Sequence, residues 1–214
     1  IDGIRLSAAK CIRYRHNGLT QLERLLEEHH TTHHRVIIVT ESIFSMDGDQ
    51  ADLQKLTELK RKYDNVLLYV DEAHAFGVRG RQGLGCAEEF HCIHDIDFLV
   101  GTFGKAAASV GAYIVCKKVI REYLVNRMRT LIFTTGLPPV NIAWTLFIVR
   151  RLADMQERRK HLAHISRTLR EALQVRGYTC PSVSHIVPMI IGPSADTVLQ
   201  LSLIHISEPT RQAE

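Results

Sequence analysis

Asp71, His74 and Lys105 are the residues whose types and spacing could do chemistry together. The first two stand in VDEAHAFGVRGRQGLG at the end of an apolar run, and the lysine stands in DFLVGTFGKAAASVGAYIV at the end of the next. Gly104 and three alanines flank the lysine, and the following charged residue is Lys117. Small apolar neighbours desolvate an ammonium and favour the neutral amine, which is a nucleophile. The expectation is a Lys105 shielded from water and reactive toward a carbonyl.

A carbonyl cofactor of the pyridoxal phosphate type makes four demands: a lysine amine for a Schiff base, a carboxylate to keep the ring nitrogen protonated, a donor to the phenolate oxygen, and hydroxyl or backbone donors for the phosphate. Lys105, Asp71 and His74 meet the first three, and Thr102 with Ser45 supplies hydroxyls for the last. A protonated ring nitrogen is what makes such a cofactor an electron sink, so Asp71 would govern reaction as well as fit. Each residue also has a plainer reading. Lys105 could be a surface lysine in a Gly-Ala loop, Asp71 and His74 a cap and a polar residue at a helix start, and Gly77, Gly80, Gly83 and Gly85 a flexible loop.

The elements that must position these residues alternate along the chain. Leucines at helical spacing run over Leu19–His30, and RVIIVT at 35–40 reads as a strand covered on both faces. The SMDGD turn follows, with Gly48 where φ must be positive. Asp52–Tyr63 reads as an amphipathic helix, and Val66–Val70, Phe98–Gly101 and Gly111–Val115 as further buried strands. A short strand is expected at Cys11–Tyr14, a helix over Val119–Thr130, and an extended piece at Phe133–Thr135. A turn is expected at Gly136–Pro139, whose prolines stop any helix. A long, broken helical stretch from Pro139 to Arg176 ends at Gly177, and His185–Ile191 reads as a first strand of a second domain. Buried strands alternating with helices define an α/β class with a mostly parallel sheet, whose sites gather at the carboxyl ends of the strands. Ser45, Asp71 and His74 all fall just past such ends.

Composition narrows the function classes. The chain has 214 residues and is 45% apolar, enough for one large domain or a domain and part of another. Lys60–Arg61–Lys62 and Arg158–Arg159–Lys160 are the tight basic runs of a chain of net charge +4, and they read as solvated helix faces rather than a nucleic-acid footprint. Five cysteines without C-x-x-C spacing suit reduced thiols in a cytoplasmic enzyme. No apolar run is long enough to span a bilayer, so no membrane is expected. DEAH alone could mark a nucleic-acid ATPase, but no G-x-x-x-x-G-K-[ST] loop accompanies it. The histidines of EEHHTTHHR could share a metal, yet without acidic or cysteine partners at ligand spacing they read as a solvated helix end, and no metal is expected. The chain opens on Ile1, which reads as a piece of a longer protein.

Four ordered motifs, VTESIFSMDGD, VDEAHAFGVRGRQGLG, TFGKA and FTTGLPP, resemble the α-oxoamine synthases over about residues 1 to 192. These are fold-type I pyridoxal-phosphate enzymes that join an amino acid to an acyl-CoA with loss of CO2. The most similar members by eye serve biotin synthesis, with glycine-acetylating members next. The resemblance implies a three-layer α/β large domain over residues 1–150, lacking its N-terminal portion, and the start of a small α+β domain over 151–200. Residues 201–214, which resemble a translated sequencing adapter, are set apart as a non-native tail.

It implies that Lys105 forms the Schiff base and moves the Cα proton, that Asp71 pairs with the ring nitrogen, and that His74 bonds the phenolate oxygen. Thr102 would reach the phosphate and Ser45 lie beside the cofactor. Glu41 would lie near the substrate, and Thr134 and Thr135 would approach the phosphate from the partner subunit of a homodimer. L-Alanine or glycine and an acyl-CoA are the implied substrates. Relatives draw a phosphate turn and a ring-stacking histidine from an N-terminal part and a carboxylate-binding arginine from a C-terminal domain. The piece is therefore expected to be inactive alone, or to act as a non-catalytic partner, although Lys105 argues against the latter. Ala106 or Ala107 stands where many relatives have glycine, and Ala75–Phe76 replaces a small pair. Both changes bear on acyl preference.

Overall fold

A computed structural model describes residues 2–193, 196–199 and 201. The tail set apart at 201–214 lies, except for Leu201, outside the described residues. The chain groups into two compact units: one holds the residues up to Ile43 and Ala51–Arg159, the other Phe44–Gln50 and the described residues from Lys160 onward.

The first unit opens with a single turn, α1 (Asp2–Arg5). The strand expected at Cys11–Tyr14 does not form, because backbone extends into a ladder only beside a strand that takes up its N–H and C=O groups, and no described strand pairs there. Then come α2 (Leu19–His29), β1 (Val36–Glu41), α3 (Leu53–Arg61), β2 (Val66–Asp71), α4 (Cys86–Glu89), β3 (Phe98–Thr102) and β4 (Ala112–Cys116). Asp52 caps α3 by accepting from the Lys55 N–H at 2.9 Å. Leu53, Leu56 and Leu59 turn inward, so that α3 packs on β2 and α2 on α3.

The sheet runs β1-β2-β3-β4, with β1, β2 and β3 parallel and β4 antiparallel to β3. A mostly parallel sheet was expected, and the reversal of β4 follows from its short connection. Residues 103–111 are too few for a crossover helix, which takes a dozen or more. In register, Ile38 pairs with Leu68 and Val70 with Leu99, all buried on one face. The expectation that β1 is covered on both faces fails: Ile37 and Val39 are 52% and 40% exposed on the other face. No described strand or helix packs closely on that side of β1.

Beyond the sheet come α5 (Lys118–Arg127), α6 (Arg129–Ile132), α7 (Pro139–Arg151) and α8 (Gln156–Val175). Pro138 and Pro139 begin a helix rather than stop one. Proline at the first helical position loses no intrahelical bond, since that N–H has no partner anyway. Residues 133–135 form a bend, not an extended strand. The expected break in the long helical stretch is a 3-10 turn at Leu152–Met155. In the second unit the strand expected at His185–Ile191 shrinks to one bridge between Thr179 and Ile190.

Arg61, Lys62, Arg158 and Lys160 are exposed, as a solvated helix face requires, but members of both runs are also tied down. Lys60 pairs with the buried Asp97 at 3.1 Å, Arg61 with Asp95 at 2.6 Å, and Lys62 with Glu23. Asp97 also accepts from the Leu68 N–H at 2.9 Å, tying the ion pair to β2. Arg159 is buried and donates to the carbonyls of Leu152 and Arg81, which joins the 3-10 turn to the loop after β2. His29 and His33 meet edge to face, with His33 Nδ1 on the His29 carbonyl at 3.2 Å. No described helix is long and apolar enough to cross a membrane. The cysteines are unpaired; burial pushes the Cys86 and Cys92 thiols up to about 12 and about 11. Truncating Leu56, 1% exposed between helix and sheet, to alanine should cost ~2–5 kcal/mol, measured by denaturant unfolding of the full-length protein.

Candidate active site

Strand parity builds the site. Glu41, the last residue of β1, is the register partner of Asp71, the last of β2, which partners Val100; Thr102 lies two residues further along β3. Side chains two apart along a strand, or directly opposite across it, share a face. Glu41, Asp71 and Thr102 therefore line one edge of the sheet on the face opposite α3.

The turn after β2 carries His74 to the same edge. Asp71 Oδ1 accepts from the Ala73 N–H at 2.8 Å, while the Glu72 carbonyl accepts from Ala75 and Phe76 at 2.9 and 2.8 Å. His74 Nε2 lies 2.7 Å from Lys105 Nζ. Burial first, then the Lys105 charge, pushes the His74 pKa below its usual value, with Asp71 opposing them. A lysine that donates in this contact requires the ring to accept at Nε2 and carry its own proton on Nδ1. Both charges act on one imidazole, so Asp71, His74 and Lys105 stand together.

Lys105 is exposed, which corrects the expectation of a desolvated amine. The neighbouring alanines are too small to cover it, and only Ala107 turns inward, beneath Phe76 and Leu152. What the sequence did not reveal is how the lysine turn is held. Trp144 of α7 donates its indole N–H to the Ala107 and Ala108 carbonyls at 3.0 and 3.1 Å, and Ser109 bonds Thr145 at 2.8 Å. The rings of Phe76, Phe103 and Tyr113 pack together beside it. Thr102 Oγ1 accepts from the Gly104 N–H at 3.1 Å and donates to the Gly111 carbonyl at 3.2 Å. Its hydroxyl shapes the same turn.

The loop after β2 is not merely flexible. Gly77 has φ of +79°, and a Cβ there would lie 2.7 Å from that of Ala106, so this glycine lets the loop touch the lysine turn. Ser45 is exposed on the SMDGD turn, which belongs to the second unit and is fixed there by the Gly48 carbonyl accepting from Ser182 Oγ at 3.2 Å. Gly48 has the expected positive φ, +67°. Thr134 and Thr135 are exposed on the bend after α6, and no described hydrogen bond joins them to Asp71, His74 or Lys105.

An amine at 2.7 Å from an imidazole, with a carboxylate whose Oδ2 has no hydrogen-bond partner among the described residues, suits a pyridine ring bearing an aldehyde and a phenolate. A parallel-dominated sheet with these residues at its carboxyl edge has the architecture of the fold-type I pyridoxal-phosphate transferases. Residues 1–207 match the model of the aminotransferase class I and II family, and the chain belongs to that family. It is 52% identical over 202 residues to the 8-amino-7-oxononanoate synthase of Haemophilus ducreyi, covering 92% of this chain and 52% of that protein. Serine palmitoyltransferase of Sphingomonas wittichii superposes with a TM-score of 0.84 at 33% identity, covering 91% of this chain and 49% of the other. The 8-amino-7-oxononanoate synthase of Francisella tularensis gives 0.82 at 29% identity, covering 96% and 59%. Both neighbours are α-oxoamine synthases. The chain spans about half the length of the curated relatives it matches.

Two measurements check this geometry. In full-length cofactor-free protein the His74 ring should titrate below the ordinary 6.5, and Lys105→Ala should return the midpoint part of the way upward, read by NMR. Ala108 has φ of +46°, where a Cβ is strained, so Ala108→Gly should raise stability by about 0.5–1 kcal/mol, read by thermal unfolding.

Proposed function

We propose that the full-length protein carrying this chain condenses an amino acid with an acyl-CoA, with loss of CO2 and with pyridoxal phosphate as cofactor. The reaction is that of an 8-amino-7-oxononanoate synthase, with L-alanine as the amino acid. The observation that carries the reading is the contact between Lys105 Nζ and His74 Nε2 at 2.7 Å, on the edge that also presents Asp71. The identity to 8-amino-7-oxononanoate synthases supports the choice of reaction.

Pyridoxal phosphate, when bound, supplies a cationic ring that stabilises negative charge at the amino acid's Cα. Asp71 holds the proton on the ring nitrogen through its open Oδ2. His74 would orient the phenolate oxygen, and the Lys105 amine, once freed by the incoming amino acid, would take the Cα proton. The Cα then forms a bond to the thioester carbonyl and CoA leaves as thiolate. The bond from Cα to the carboxylate breaks with release of CO2, and Lys105 returns its proton to Cα. Glu41, on the same sheet face as Asp71, is the residue proposed to meet the substrate. Thr102, Ser45, Thr134 and Thr135 are proposed to meet the cofactor, the last two from a partner subunit.

A second copy of the chain is the proposed partner, and the cytoplasm the proposed compartment. Val140, Ile142, Leu146, Phe147 and Val149 of α7 are all exposed, more apolar surface than a solvated helix presents. We also infer a large pyridoxal-phosphate domain over residues 1–150 and the start of a smaller domain over 151–200. Transfer of acetyl to glycine is the second reading, on the same residues.

Full-length protein mixed with pyridoxal phosphate should develop the absorption band of a lysine-bound cofactor, and Lys105→Ala should abolish it. A band unchanged in that variant removes Lys105 from its role. Product formation from alanine and pimeloyl-CoA, but not from glycine and acetyl-CoA, supports the first reading; the opposite preference selects the second.

A further inference from the structure

Asp71 and Glu72 are adjacent carboxylates that strand parity turns in opposite directions. Asp71 faces the open edge, whereas Glu72 is 0% exposed. A carboxylate is seldom buried without partners, because removing it from water costs several kcal/mol. Glu72 has three. Its Oε2 accepts from Ser42 Oγ at 2.6 Å and from the Cys86 N–H at 3.0 Å, and its Oε1 accepts from the Ala87 N–H at 2.6 Å. The two backbone N–H groups can only donate and the serine hydroxyl is able to, so the carboxyl group is held by accepting at both of its oxygens. Burial is the larger effect and raises this acid above its usual value, while the three bonds and the charge of Arg79 pull the other way. Gly85 leaves room for it: a Cβ there would sit 2.6 Å from the carboxylate carbon.

The segments joined by Glu72 are those that carry the site. Ser42 directly follows Glu41, and its N–H donates to the Asp71 carbonyl at 2.9 Å. Cys86 and Ala87 begin α4 at the end of the glycine loop that touches the lysine turn. The Glu72 N–H donates to the Val100 carbonyl at 2.7 Å, continuing the pairing of β2 with β3, and its own carbonyl closes the turn that bears His74.

We propose that Glu72 is the positioning residue of this site: from the covered side of the sheet its carboxylate fixes the directions in which Glu41, Asp71 and His74 meet the cofactor and the amino acid. The proposal rests on the pyridoxal-phosphate reading above. Glu72 touches neither ligand. Its effect passes through the three strand and loop ends that it ties, so its loss misaims groups that are themselves intact.

The test uses full-length protein and four variants: Glu72→Gln, Ser42→Ala, Leu56→Ala and Lys105→Ala. Pyridoxal phosphate affinity is read by absorbance titration and stability by thermal unfolding without cofactor. Glutamine keeps the size of Glu72 but sets an amide N–H against a donor, so affinity should fall about tenfold or more and the bound band should shift. Ser42→Ala removes one donor and should weaken binding by roughly two- to fivefold. Leu56→Ala should lose comparable stability yet bind cofactor as the parent does below its melting range. Glu72→Gln binding within twofold of the parent, or Leu56→Ala weakening affinity as much as Glu72→Gln, overturns the proposal. Should Glu72→Gln fail to fold, Ser42→Ala decides alone, and unchanged affinity there overturns it. A parent protein that binds no cofactor, or a band that survives Lys105→Ala, sinks instead the reading on which the proposal stands.

Discussion

Three parallel strands paired in register, each ending at one edge, are the constraint on which the rest depends. Side chains alternate along a strand with a period of two, so register alone decides that Glu41, Asp71 and Thr102 look out from one face. A slip of one residue in β2 would bury Asp71 and expose Glu72, leaving the site with a carboxylate on the wrong side. The apolar residues of the other parity hold the register: Ile38, Leu68, Val70 and Leu99 must all reach the covered face together. The hydrophobic core beneath α3 thus sets the chemistry at the edge without touching it.

Much of this was legible in the sequence. Short apolar runs ended one residue before β1, β2 and β3 end, and Asp71, His74 and Lys105 fell together because they lie at or after such ends. Gly48 was legible because a tight turn has few solutions. The direction of β4 was also on the page, since 103–111 is too short for a crossover, but an apolar run such as AYIVC looks the same read either way. Burial was the weaker inference. Ile37 and Val39 have the composition of a two-sided strand, yet only neighbours in space cover a face, and composition does not say whether they are there. Glu72 escaped notice for the same reason: between two residues with evident chemistry, a third polar one reads as part of a loop. Its burial depends on Ser42 and Cys86, 30 and 14 residues away in the chain.

Lys105 shows how a wrong local argument can reach a right grouping. The alanines around it suggested activation by desolvation, but they shape the turn instead. Ala107 enters the aromatic cluster, and Ala106 meets Gly77 where no larger pair would fit. The amine is left in the open, next to an imidazole whose pKa burial lowers. A neutral imidazole at hydrogen-bond distance gives the ammonium an acceptor without adding a second positive charge. The acceptor, rather than an apolar shell, is what the protein places beside this lysine.

The lysine turn is tied to α7 through Trp144, whose indole N–H bridges two successive carbonyls of the turn. Trp144 in turn stacks with Phe147, and the Arg151 guanidinium lies 4.5 Å from the Phe147 ring centroid. These side chains belong to the helix whose apolar residues are most exposed. A partner that buries them would gain about 25 cal/mol for each Å² of apolar surface removed from water. It would also restrict the rotamers of Trp144, and therefore the turn that Trp144 holds. The exposed apolar surface of α7 and the turn that carries Lys105 are joined by the Trp144 indole and by the Ser109–Thr145 hydrogen bond, so a partner that buried the first would stiffen the second.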